Sequence, residues 1–290
     1  MAVKILSDSA CDLPKEILDK YNIDIVPIIV IKDDEEYLDG VTIDPKDLYY
    51  DMRAGQVYKT AQIAPKMFEE KFTELANKEE DVIYIAFSSG LSSTYQTSVI
   101  VRDSLKEKYP NMNIDIVDSK SASVGFGLLV HKAGKMAKEG KSKEEILRML
   151  DFYVDHIEHI FTVDDIEYLF RGGRVTRTQA FVGGLLNIKP ILDVSEEGKL
   201  QPLEKVRGRA KVLKRMIQIM EERGGKADLK NQTIGINHGD DLEGAMKLKE
   251  MIEKEYGCND FIINIVGCAI GAHSGPGTLS VFFLNEKHED

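Results

Sequence analysis

Short apolar runs alternate with helical stretches through the first half of the chain, and that rhythm leaves few architectures open. Residues 3–6, 23–31, 82–87 and 114–117 are apolar and strand-length. Between them lie helical spans at 15–21, opened by Pro14, and at 65–77. In the second span Met67, Phe68, Phe72 and Leu75 recur on one helical face. Further helices are expected from near Leu91, at 121–139 and at 142–155. The last opens on Ser142-Lys-Glu-Glu145, where Ser and Glu can satisfy each other's free N–H groups. A βαβα order of this kind predicts an α/β fold built on a parallel, doubly wound sheet.

The pattern changes beyond residue 160. Residues 189–194 and 200–206 flank Glu196-Glu-Gly-Lys199, a turn that suits an antiparallel hairpin. Helices at 209–223 and 242–256 then alternate with strands at 233–237, 261–266 and 279–284. This reads as a second α/β domain with a mixed sheet. With the boundary near 158–162, the domains are 1–160 and 161–290.

Composition excludes several functions. A net charge of −11 argues against nucleic acid as a partner, because duplex binding rests on a basic footprint. The charge is uneven, however. Residues 170–215 hold eleven Lys and Arg against four acids, a local +7 that leaves −18 for the remainder. Either solvated helix faces or a docking face for an acidic or phosphate-bearing partner fits that island. Cys11, Cys258 and Cys268 form neither a C-x-x-C motif nor an even framework, which favours a reducing cytoplasm. The opening residues meet a polar side chain too early for a signal peptide, and the longest apolar runs fall far short of a membrane span of roughly 20 residues. No stable membrane insertion is expected.

Three loops carry the chemistry: Lys59-Thr-Ala-Gln-Ile-Ala-Pro65, Ser88-Ser-Gly-Leu-Ser-Ser-Thr-Tyr95 and Gly271-Ala-His-Ser-Gly-Pro-Gly-Thr278. Each offers hydroxyl, imidazole or backbone N–H donors, and none contains a carboxylate. Ser92 falls at a strand-to-helix junction, where free N–H groups and the helix dipole favour an anion; an N-cap serine is the plainer use. Thr60 precedes a helix. His273 lies among glycines that permit close approach of a ligand.

Enzyme signatures are weak by comparison. There is no G-x-x-x-x-G-K-[ST] phosphate loop. Gly125-Phe-Gly127 begins a dinucleotide fingerprint but has Val130 at its third glycine and lies within an expected helix. His156 and His159 have a metal-compatible spacing, yet they read as a charged surface helix end with no third ligand nearby. Ser89-Gly-Leu-Ser92 is not G-x-S-x-G. A small-molecule hydrolase or transferase using Ser92 and His273 with an unassigned acid remains the alternative, and a sensor of a phosphate ligand is a weaker one.

Five motifs in order resemble those of the DegV family, bacterial fatty-acid-binding proteins that form the acyl-carrying subunit of fatty acid kinase. They are Ser7-Asp-Ser9, Lys59-Thr-Ala-Gln62, Ser88-Ser-Gly-Leu-Ser-Ser-Thr-Tyr95, Tyr168-Leu-Phe-Arg-Gly-Gly-Arg-Val175 and His273-Ser-Gly-Pro-Gly277. The resemblance covers essentially the whole chain. It implies a cytoplasmic, non-catalytic protein without cofactor or metal, whose partners are a long-chain fatty acid and the catalytic subunit of the kinase. The carboxylate would lie between the domains on Thr60, Ser92 and His273, and the tail would run into the amino-terminal domain. Here Ala61 and Ile63-Ala64 replace the family's Ser and Pro-Ser, while Ser93 replaces a glycine and could add a head-group donor. Arg174 and Arg207, in the basic island, are the candidates for docking the kinase, because a planar guanidinium grips phosphate or carboxylate at two points.

Overall fold

The computed structural model describes residues 3–176, 188–225 and 228–288. In chain order the first part comprises β1 (Lys4–Asp8), α1 (Lys15–Tyr21), β2 (Asp24–Val26), β3 (Ile29–Lys32), β4 (Glu35–Leu38), α2 (Pro45–Arg53) and β5 (Lys59–Ala61). Then come α3 (Pro65–Asn77), β6 (Asp81–Ala86), α4 (Thr94–Leu105), β7 (Asn113–Asp118), α5 (Ser123–Lys138) and α6 (Lys143–His156). The remainder holds β8 (Ile157–Thr162), α7 (Glu167–Arg171), β9 (Ile188–Val194), β10 (Leu200–Arg207) and α8 (Arg209–Gly224). It closes with β11 (Thr233–His238), α9 (Leu242–Tyr256), β12 (Asp260–Ile265), α10 (Cys268–Ser274) and β13 (Leu279–Leu284).

The expected parallel sheet is present, in the order β2-β1-β6-β7. Successive residues of a strand face opposite sides, and Val82 through Ala86 are all buried, so helices cover both faces of the sheet. Phe68 and Phe72 of α3 pack against Tyr84, and α5 lies close on the turn that follows β1. Gly127 serves that approach: a Cβ there would collide with the Cys11 carbonyl oxygen. Gly125-Phe-Gly127 is therefore a packing feature inside α5. The mixed sheet is also present, six strands in the order β10-β9-β8-β13-β11-β12. Its β9–β10 pair is the antiparallel hairpin expected around Glu196–Lys199.

Local chemistry explains the helix ends. Ser142 and Glu145 form the reciprocal cap on α6, with Ser142 Oγ accepting the Glu145 N–H at 3.2 Å. Asp241 accepts the Gly244 N–H at 3.0 Å to open α9, and Gly257, at φ 69°, closes it in the left-handed region.

One strand reading is corrected. Residues 23–31 form two strands in different sheets, not one. Pro27 has no N–H to continue the ladder, and the Ile28 N–H is donated to Ser9 Oγ at 3.0 Å. The chain leaves the parallel sheet there and builds a small antiparallel one, β4-β3-β5, in which Val30 pairs with Thr60. The stretch around Thr60 is thus a strand edge and not a loop. A second correction concerns the histidines. His156 ends α6, but His159 is buried on β8, where desolvation pushes its pKa down to about 4. Among the described residues no group of His, Cys, Asp and Glu could hold a metal ion, and no helix is long and apolar enough to cross a membrane.

Candidate functional site

A cavity lies where the two larger sheets and the small sheet meet, with an atom-free volume of about 810 Å³ including the space open to solvent. All three donor-rich segments reach it. The first supplies Thr60 and Gln62, the second Leu91 and Ser92, and the third His273, Ser274 and Thr278. Most of the wall is apolar, including Ile28, Phe87, Phe161, Leu169 and Phe282. No Asp or Glu is among the described residues lining it.

The polar end is organised by a contact between residues far apart in sequence. Thr60 Oγ1 lies 2.6 Å from His273 Nε2. The small sheet carries Thr60 and the last turn of α10 carries His273. Burial, and secondarily the Arg174 guanidinium, push the His273 pKa down to about 3, so the imidazole is neutral near pH 7. Arg174 also lines the cavity; its Nη1 donates to the Gly172 carbonyl at 2.5 Å, and burial lowers its pKa. Gly172 lies so close to His273 that a Cβ there would strike Nδ1. Gly275 is likewise pressed on the Tyr168 ring. The Tyr168–Val175 and His273–Gly277 motifs are therefore two sides of one packed corner.

Ser92 lines the cavity, but it is not the N-cap of α4. That position belongs to Ser93, whose side chain makes no capping bond. Ser92 Oγ instead accepts the Thr94 N–H at 3.2 Å and pairs with Thr94 Oγ1 at 2.9 Å. This arrangement does not form a nucleophile–base pair: His273 is turned to Thr60, and a neighbouring cation disfavours the imidazolium that a general base must become. Ser93 is exposed and outside the lining, so its place at the helix start does not bring it to the other donors.

The basic island divides. Arg174 is in the cavity wall, whereas Arg207 is the exposed last residue of β10, away from the lining. Arg177 lies outside the described residues. Much of the island is matched by acids of this chain: Lys189 by Asp164, Arg209 by Asp241, and Arg215 by Glu204 and Glu222. The wall residues Phe161 and Phe282, and the role of Arg174 inside the cavity, were not singled out in the sequence. Apolar strand residues that line a cavity look like core residues, and only the Gly172-Gly173 pair, which lets the chain turn beside His273, marked Arg174.

Four of the five motifs, all but Ser7-Asp-Ser9, contribute residues to this cavity, and the chain matches the DegV family, a family described as uncharacterised, over residues 2–286. The chain belongs to the DegV family. A DegV domain-containing protein of Clostridium perfringens is 42% identical over 287 residues, covering 98% of both chains. Among solved structures, a DegV family protein from Thermus thermophilus, described by its fatty acid binding, aligns with a TM-score of 0.87 at 28% identity, covering 97% of this chain and 99% of that one. A stearic acid-binding protein from Eubacterium ventriosum aligns with a TM-score of 0.89 at 26% identity, covering 97% of each chain. Both neighbours share the overall fold of this chain, and each of those two proteins is described as binding a fatty acid.

Proposed function

We propose that this DegV protein binds a long-chain fatty acid in the cavity and presents its carboxylate to a partner kinase for acyl phosphate formation. One observation carries the reading: an apolar cavity ends in hydroxyls, a neutral imidazole and a guanidinium, with no carboxylate among the described wall residues. Relatives that bind fatty acids, one of them stearic acid, support the ligand class.

The geometry divides the work. In the Nε2–H tautomer His273 donates to Thr60 Oγ1 and leaves the Thr60 O–H to face the ligand carboxylate. Arg174 supplies the positive charge, and Ser92 is a further hydroxyl in the same lining. Each charge-assisted hydrogen bond contributes about 1.5–3 kcal/mol. A tail of about 15 methylenes, at ~0.8 kcal/mol each, offers on the order of 12 kcal/mol before association costs. The tail decides whether a lipid is retained; the polar end decides which way it points. With the division near residue 160, both parts share the cavity: residues 1–160 supply Thr60 and Ser92, residues 161–290 supply Arg174 and His273, and each contributes apolar wall for the tail.

The protein contributes no chemistry of its own in this reading. A cytoplasmic kinase subunit would bring the phosphoryl donor, as the family resemblance implies, and Arg207 is the remaining candidate for its docking. Organic extraction and mass spectrometry of protein expressed in bacteria is the test. A stoichiometric long-chain fatty acid is expected; lipid-free protein that also fails to take up added fatty acid would refute the proposal.

A further inference from the structure

The helix that carries His273 has no cap of its own. Gly267, at the N-cap position of α10, has no side chain to accept the first-turn N–H groups, and such groups are costly to leave unpaired in a buried setting. Two carboxylates from the other end of the chain take that role. Asp39 Oδ1 accepts the Cys268 N–H at 2.8 Å, and Asp12 Oδ1 accepts the Gly267 N–H at 3.0 Å. Both carboxylates are buried, with 4% and 6% of their surface exposed. Gly267 is required for this approach, since a Cβ would stand 2.5 Å from Asp12 Oδ1. Asp12 is anchored in turn by Ser123 and Asn237, and its carbonyl accepts Asn264 Nδ2 at 2.8 Å.

The placement of Asp39 gives these bonds a purpose beyond stability. Asp39 follows β4 of the small sheet, and Thr60 lies on β5 of the same sheet. One end of α10 is therefore gripped by Asp39, while the other end sets His273 against Thr60. Between those points Ala269 and Ile270 face the cavity.

We infer that Asp39, supported by Asp12, is a positioning residue of the head-group site, holding α10 at the angle that brings His273 to Thr60. The inference rests on the head-group reading above, but its test separates the two. Wild-type, Asp39→Ala and Asp39→Asn proteins are stripped of lipid, titrated with cis-parinaric acid, and compared by ring-nitrogen NMR of ¹⁵N-labelled histidine. Loss of a helix cap propagated to the site should weaken binding about tenfold in Asp39→Ala and shift the His273 ring signals. Asp39→Asn keeps an oxygen that accepts the Cys268 N–H and should stay close to wild type. A lowered Tm in Asp39→Ala with unchanged affinity and His273 signals would overturn the inference, as would equal losses in both variants. Should Asp39→Ala not fold, Gly267→Ala, which crowds Asp12 off the helix, is read by the same two signals. Wild-type protein that ignores cis-parinaric acid refutes the fatty-acid reading alone, because the His273 signals still report whether Asp39 positions the ring.

Discussion

Two hydroxyls at the polar end of the cavity look equivalent in sequence and are not. The Thr60 hydroxyl meets His273 from 213 residues away, across the contact between the small sheet and α10. The Ser92 hydroxyl meets Thr94, two residues on, in a turn that leads into α4. The first bond exists only when the whole fold is assembled. The second forms from local backbone geometry, with or without a ligand. The long-range pair depends on tertiary assembly, whereas a local pair first serves the element it opens.

Substitutions should separate the two hydroxyls. The largest loss is expected from Thr60→Val combined with His273→Ala, which removes both members of the long-range pair. Fatty acid affinity should fall by roughly 10- to 100-fold, matching the net value of one charge-assisted bond. The two single variants should sum to more than the double, because they share one interaction. Retained affinity in the double variant, by fluorescence titration, would place the carboxylate elsewhere. Arg174→Gln comes next: binding should weaken by about tenfold at low salt and less at high salt, since it removes a charge that salt partly screens.

Acid should reveal the buried imidazole. His273 is held neutral in the fold down to about pH 3, whereas the unfolded chain takes the proton near pH 6.5. The unfolded state therefore binds more protons between those values, and stability declines as pH falls through that window. In urea unfolding, His273→Gln should lose less stability than wild type between pH 7 and pH 4; an identical decline would mean the ring is not held neutral. Ser92→Ala should weaken binding only about twofold to fivefold, with part of the change appearing as a lower Tm from the altered lead into α4. Ser92→Ala losses equal to those of Thr60→Val would erase the distinction between the hydroxyls. Arg207→Ala should leave fatty acid affinity unchanged and reduce only acyl phosphorylation by the partner kinase. A full rate of phosphorylation would leave Arg207 a solvated strand end.

The elements most legible in the sequence are those whose ends are set by local chemistry. The reciprocal Ser142–Glu145 cap, the α9 helix between Asp241 and Gly257, and the Glu196–Lys199 hairpin all follow from residues within a few positions of one another. What escaped was decided over long distances. Residues 23–31 carry one apolar pattern, but Pro27 sends the two halves to different sheets, and apolar periodicity cannot say which sheet receives a strand. His159 looked like part of a helix end because its neighbours are charged, yet strand alternation turns its ring inward beneath Gly125. For the site, Thr60, Ser92 and His273 were each visible as donors in carboxylate-free segments. Their unequal roles were not, because a hydroxyl's partner is chosen by tertiary geometry.

The departure of the chain at Pro27 has a consequence for how such a protein can change. The parallel sheet is wired through β1, β2 and β6, and its crossover from β2 needs only α3 to reach the far side of β1. Everything from residue 28 to 64 is an excursion from that circuit, and it carries both Thr60 and Asp39. One part of the cavity lining, Ile28 and Thr60 to Gln62, is thus housed in a cassette that the scaffold does not need in order to close its own sheet, whereas Ser92, Arg174 and His273 lie outside it. A turn there can lengthen, or a wall be reshaped, without rewiring the strand order β2-β1-β6-β7.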